Sequence, residues 1–210
     1  QPKNGYDRLS AQEGAEMEAY CADYKKFLDA GKTERECVAE AVRLAQAKGF
    51  QPFTRGMAIQ PGDKLYRVNR GKALMLAVVG AKPLSEGASI GAAHIDSPRL
   101  DLKPNPLYED GELAFFKTHY YGGIRKYQWV TIPLELHGVV ALKDGSTVSV
   151  KVGCGADEPR FTIDDLLPHL GAEQSKKPLG EAIPGESLNI LVGSRPFKDD
   201  EGSDRVKLAV

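Results

Sequence analysis

The residues best arranged for chemistry are His94-Ile-Asp96-Ser97-Pro98. On a β-strand, positions i and i+2 project from one face, so His94 and Asp96 would point the same way. A neutral imidazole can bind a metal through one ring nitrogen. A carboxylate beside it can orient the ring, support that metal-bound histidines nearly always have. Pro98 would end the strand and open a loop, and ligands of α/β sheets collect at the carboxyl ends of strands. Taken alone, His-x-Asp also fits a strand end that carries one polar pair.

The other chemical residues point nowhere as specific. His119, beside Tyr120 and Tyr121, reads as a hairpin residue, and His137 falls on the polar phase of a strand. Neither sits at a recognised ligand spacing. Tyr127 and Trp129 share one strand phase and read as core or oligomer contacts. Cys21 and Cys37 lie on predicted helices and no Gly-x-Ser-x-Gly elbow exists, so an activated nucleophile is not indicated. Gly87-x-x-x-Gly91 lacks the Lys-Ser/Thr pair of a phosphate-binding loop.

The elements that would position His94 start with two helices. Ser10-Ala-Gln-Glu13 and Thr33-Glu-Arg-Glu36 are capping boxes. Tyr20, Tyr24, Phe27 and Leu28 form an apolar face on the first helix, which Gly31 ends. Val38, Ala41, Val42 and Ala45 form one on the second, which Gly49 stops. The period then changes to two. Lys64 to Asn69 alternates, and Ala73 to Val79 is a continuous apolar run, as for a strand covered on both faces. Ser89 to Ile95 reads as a further strand that delivers His94 and Asp96. Together these predict an α/β fold, part of a helix-covered sheet.

A β-rich texture begins near Leu100. Val130, Ile132, Leu134 and Leu136 alternate with polar positions, and Pro133 marks an edge or a bulge. Asp144-Gly145 is a hairpin signal before Thr147 to Val152. Thr162 to Leu170 reads as a short helix with Asp164 and Asp165 at its positive end, and Leu188 to Val192 as a strand. Ser203-Asp204 looks like a helix start. The apolar face from Val206 to Val210 has no terminator, which favours a larger protein continuing beyond Val210 over a frayed tail.

Composition limits the function classes. The 210 residues carry 28 Lys plus Arg against 29 Asp plus Glu, a net charge of -1, which argues against nucleic-acid binding. The apolar share of 41% argues against disorder. No apolar run approaches the ~20 residues that span a bilayer, so no membrane partner is expected. Three scattered cysteines with no Cys-x-x-Cys pair fit a reducing compartment, hence a cytoplasmic location.

Long stretches carry a resemblance. Gly91-Ala-Ala-His94-Ile-Asp96-Ser97-Pro98-Arg99-Leu100 with Leu102-Lys103-Pro104 is similar to the aspartyl aminopeptidase family of cocatalytic zinc metallopeptidases. So are Tyr121-Gly-Gly-Ile-Arg-Lys-Tyr-Gln-Trp129, Phe161 to Leu170, and Pro184 to Pro196. The resemblance covers nearly the whole chain in order.

The resemblance implies a catalytic α/β domain with a β-rich dimerisation domain inserted after the His-x-Asp-Ser-Pro strand. Residues 1–99 would be the first part of the catalytic domain, 100–195 the dimerisation domain, and 196–210 a segment returning toward the catalytic domain. His94 would be a metal ligand and Asp96 the supporting catalytic aspartate. His169 would reach a neighbouring subunit's active site. The cofactor would be two zinc ions, with cobalt or manganese as substitutes. Dimers formed through residues 100–195 would assemble into a dodecamer. The substrate would be a peptide, with an acidic N-terminal residue preferred.

The family's remaining metal ligands and its catalytic glutamate pair lie on later motifs, which these residues lack. Glu181, Glu186, Asp199 and Asp200 sit in polar loop segments and read as solvated. The chain therefore reads as an N-terminal portion of a metal-dependent aminopeptidase, inactive alone. The alternative is a non-catalytic self-association module.

Overall fold

The computed structural model describes residues 2–198 and 201–210. Asp199 and Asp200 lie outside the described residues. The chain forms two compact units, Gln1–Ser97 and Pro98–Val210.

In the first unit, α1 (Ala11–Ala30) and α2 (Glu34–Ala47) start where the capping boxes predict. The Ser10 and Thr33 hydroxyls accept from the Glu13 and Glu36 amides, and each glutamate reaches back to its cap. These local bonds satisfy orphan helix donors without tertiary help. α2 buries Cys37, Val38 and Ala45. α1 buries no residue fully; of its predicted apolar face Tyr20, Tyr24 and Leu28 are exposed and Phe27 is half-buried.

β1 (Gln51–Pro52), β2 (Lys64–Asn69) and β3 (Ala73–Val78) make a sheet in that order, β1 parallel to β2 and β3 antiparallel to it. The expectation of a doubly covered strand fails at β3, where Met75 and Val78 are exposed. Ser89 to Ile95 is not a strand either: residues 87–98 are irregular. That stretch is rich in Gly and Ala, which have weak strand preference. No described strand supplies it with a ladder partner.

In the second unit, β4 (Arg99–Asp110) and β5 (Leu113–Tyr121) form an antiparallel pair, turned at Gly111 and Glu112 with positive φ. The register shifts between Leu102 and Leu107, where Pro104 and Pro106 cannot donate to a ladder. β6 (Leu136–Ala141) and β7 (Thr147–Val152) form a separate hairpin around Asp144-Gly145, as predicted. After the short α3 (Leu179–Ala182), β8 (Ile190–Gly193) pairs with β5 and completes the order β4-β5-β8. The last helix, α4 (Arg205–Ala209), packs against this sheet and buries Val206. The core gathers Val130, Ile163, Ile183, Leu188 and Ile190, with Trp129 and Tyr127 partly buried against it.

Three expectations change here. The strand expected from Val130 begins only at Leu136, because Thr131 adopts a left-handed backbone (φ 64°) and Pro133 lacks a donor. The helix expected over Thr162 to Leu170 does not form. Phe161 and Thr162 instead bridge to Leu134 and Leu191, and Pro168 disfavours a helical residue before it. The strand expected from Leu188 starts at Ile190, because the Leu188 carbonyl is taken by the Thr118 hydroxyl.

Candidate functional site

His94 and Asp96 come together without a strand. The His94 Nδ1 lies 3.0 Å from Asp96 Oδ1 and 3.0 Å from the Asp96 carbonyl oxygen. Both acceptors favour the tautomer with hydrogen on Nδ1, which leaves the Nε2 lone pair for a ligand. The His94 side chain is 84% exposed, so that nitrogen is accessible. A carboxylate on one ring nitrogen and an open second nitrogen is the arrangement of a metal-binding histidine with its support. The pair therefore fits one arm of a zinc site. Zinc takes three or four protein donors, and His94 supplies one.

His169 belongs to the second unit. It sits in an exposed turn in which the Leu170 and Gly171 amides donate to the Leu167 carbonyl at 2.9 and 2.8 Å. Of the acidic residues read as solvated, Glu181 and Glu186 fall among the described residues. Glu186 accepts from Lys103 Nζ at 2.7 Å, and that bond leads in holding its carboxyl below the ordinary range. Glu181 lies on α3 rather than in a loop. His119 stacks on Tyr120. Cys37 is buried, its thiol donates to the Gly31 carbonyl, and burial pushes its pKa up, so it is not a nucleophile.

A group that the spacing argument passed over is Glu135, His137 and Cys154, whose ligand atoms lie within 4.8 Å of one another. His137 Nε2 is 3.0 Å from Glu135 Oε2, and Cys154 Sγ is 3.5 Å from the same nitrogen. The signal was present in the hairpin. With Asp144-Gly145 at the turn, the ladder pairs His137 with Lys151 and Leu136 with Val152. Glu135 and Cys154 then flank the base of the ribbon.

Residues 27–210 match the family model of the aminopeptidase I zinc metalloproteases (M18). A probable M18 family aminopeptidase 1 from Clostridium acetobutylicum is 48% identical over 209 residues, covering 98% of this chain and 45% of the relative. The crystal structure of the M18 aminopeptidase from Thermotoga maritima superposes with a TM-score of 0.88 at 41% identity, over 100% of this chain and 45% of that one. Aminopeptidase I from Clostridium acetobutylicum gives a TM-score of 0.84 at 43% identity, over 98% and 46%. The chain thus spans a little under half the length of the relatives it matches. Among the described residues, no helix is long and apolar enough to cross a membrane. With the match running through both units, the chain belongs to the aminopeptidase I zinc metalloprotease (M18) family.

Proposed function

We propose that this chain serves a zinc-dependent aminopeptidase that removes N-terminal residues from peptides, acidic ones by preference. The observation that carries the reading is the His94–Asp96 pair, set in its Gly91 to Leu100 motif within a chain of this family. Zinc held there supplies Lewis-acid polarisation of the scissile carbonyl and a nucleophile at neutral pH. Asp96 keeps the His94 ring in one tautomer and one orientation. His169, on its exposed turn, donates a hydrogen bond to the developing oxyanion in a neighbouring subunit.

In this reading residues 1–99 begin the catalytic domain, 100–195 form the inserted dimerisation domain, and 196–210 lead back. Homo-oligomerisation, with dimers building a dodecamer, is supported by apolar side chains left outside on the β6–β7 ribbon: Val139, Val140, Leu142 and Val148. Such residues in a two-stranded ribbon call for a covering surface. Three free cysteines support a cytoplasmic location. A purely non-catalytic assembly module would need the ribbon but has no use for the His94–Asp96 pair.

The test is zinc content and turnover of N-terminal Asp, Glu and Leu p-nitroanilides. It compares the 210 residues alone with a protein of the relatives' length that contains them. The longer protein should cleave and the isolated chain should not, since His94 alone cannot hold a metal pair. In the longer protein, His94→Ala should lose zinc and turnover together. Full zinc and full turnover in that variant would overturn the assignment.

A further inference from the structure

The Glu135, His137 and Cys154 side chains form a triangle at the base of the β6–β7 hairpin, and none of His94, Asp96 or His169 takes part in it. Its edges are 3.0 Å between His137 Nε2 and Glu135 Oε2, 3.5 Å between His137 Nε2 and Cys154 Sγ, and 3.7 Å between Cys154 Sγ and Glu135 Oε2. Tetrahedral zinc, with bonds of about 2.0–2.3 Å, spaces its N, O and S donors about 3.3–3.6 Å apart. The triangle's edges lie within about 0.3 Å of that range, close to one face of that tetrahedron.

A relay from Cys154 through His137 to Glu135 is the competing chemistry, and the geometry argues against it. A relay needs the ring to bridge through its two nitrogens, one toward the nucleophile and one toward the acid. Here the thiol and the carboxylate both approach Nε2. Three donors converging on one point are arranged to share a cation.

The surroundings fix the donors. His137 has a side chain only 12% exposed. Arg160 Nη1 lies 3.4 Å from Glu135 Oε1, which leaves Oε2 to face the triangle. Cys154 is brought round by a turn at Gly153, whose φ of 93° suits glycine. That turn is held by Glu158, whose Oε2 accepts from the Gly153 and Cys154 amides at 2.8 and 2.9 Å.

We propose that Glu135, His137 and Cys154 bind one zinc ion, with water in the fourth position, as a clasp across the base of the β6–β7 hairpin. The sulfur, imidazole and single carboxylate select zinc over calcium or magnesium. Binding exchanges the Cys154 thiol proton for the metal and releases it to solvent. The site is independent of the aminopeptidase reading.

The experiment is a cobalt titration of the 210-residue chain under reducing conditions, read by the thiolate-to-cobalt charge-transfer band in the near ultraviolet. The band should saturate at one equivalent and disappear on adding zinc. It should persist in Cys21→Ser and in His94→Ala, and vanish in Cys154→Ser. Glu135→Gln and His137→Asn should weaken binding by about 100-fold or more, beyond the loss typical of a supporting residue. A second readout avoids variants that fail to fold: zinc should slow iodoacetamide alkylation of Cys154 in the parent chain, as seen by peptide mass spectrometry, and leave Cys21 unaffected. No band in the folded chain, a band that survives Cys154→Ser, or equal alkylation of Cys154 with and without zinc would overturn the proposal.

Discussion

Thr118→Val tests whether one buried hydrogen bond or side-chain packing holds β5 to the segment that leads into β8. Thr118 is 3% exposed, and its hydroxyl donates to the carbonyl of Leu188, which is 1% exposed. Valine keeps the shape and removes the donor. A buried carbonyl left without its partner costs about 1–3 kcal/mol. The added methyl returns about 0.8 kcal/mol at most. With that gain in full, the net expectation is a loss of about 0.2–2 kcal/mol, which at a urea slope near 2 kcal/mol per molar lowers the midpoint by about 0.1–1 M. Trp129 is the sole tryptophan and packs against this core, so its emission reports the second unit alone. If packing rather than the bond were responsible, valine would match or exceed the parent and Thr118→Ser would be the weaker variant. A midpoint for Thr118→Val at or above the parent's would refute the reasoning.

Other expectations follow from the same structure. On the proposed assignment, Asp96→Asn in a protein of the relatives' length should lower zinc affinity by about 10–100-fold, the range for supporting partners of metal-bound histidines; chelator competition measures it. There His169→Ala should cut kcat by about 100–1,000-fold, the range for a lost oxyanion donor, with zinc content and subunit assembly intact in mass and light-scattering measurements. Gly193→Ala would put a methyl 2.6 Å from Val210 Cγ2 and 3.3 Å from Val206 Cγ1, so α4 should lift and the Lys207 amide, which donates to Glu109, should lose exchange protection. The Glu158 carboxyl is held below the ordinary glutamate range by the backbone amides of Gly155, Gly153 and Cys154. Its contribution is therefore present above the unfolded-state value and is lost as pH falls through the lowered folded value. Carbon-detected titration should place Glu158 below the ordinary range, and Glu158→Gln should remove that part of the acid dependence.

Legibility in the sequence followed how local the governing bonds are. The Ser10–Glu13 and Thr33–Glu36 boxes lie within one turn, and the helices begin where they predict. Asp144-Gly145 sets its hairpin for the same reason. Ser89 to Ile95 failed because a strand is a relation between segments, and no described segment pairs with it. Thr162 to Leu170 failed because the bridges to Leu134 and Leu191, distant in sequence, outweighed a weak helical pattern that contains Pro168. The His94–Asp96 contact was legible as an i, i+2 pair, although an irregular segment rather than a strand delivers it. The triangle of Glu135, His137 and Cys154 needed the hairpin register before its spacing meant anything.

The pairing of β5 with β8 has a consequence for synthesis. Phe116 lies opposite Ile190, so at 5–20 residues per second β5 leaves the ribosome roughly 4–15 s before its partner. During that interval β4 and β5 can already form their hairpin, while the outer edge of β5 offers Ala114, Phe115 and Phe116 to any passing strand. Closing that gap late costs chain entropy that grows only slowly with length, so the delay is a kinetic hazard more than a thermodynamic one. A chaperone that shields one exposed strand edge for a few seconds would raise the yield of this chain, and slowing translation between Tyr121 and Asn189 would lower it.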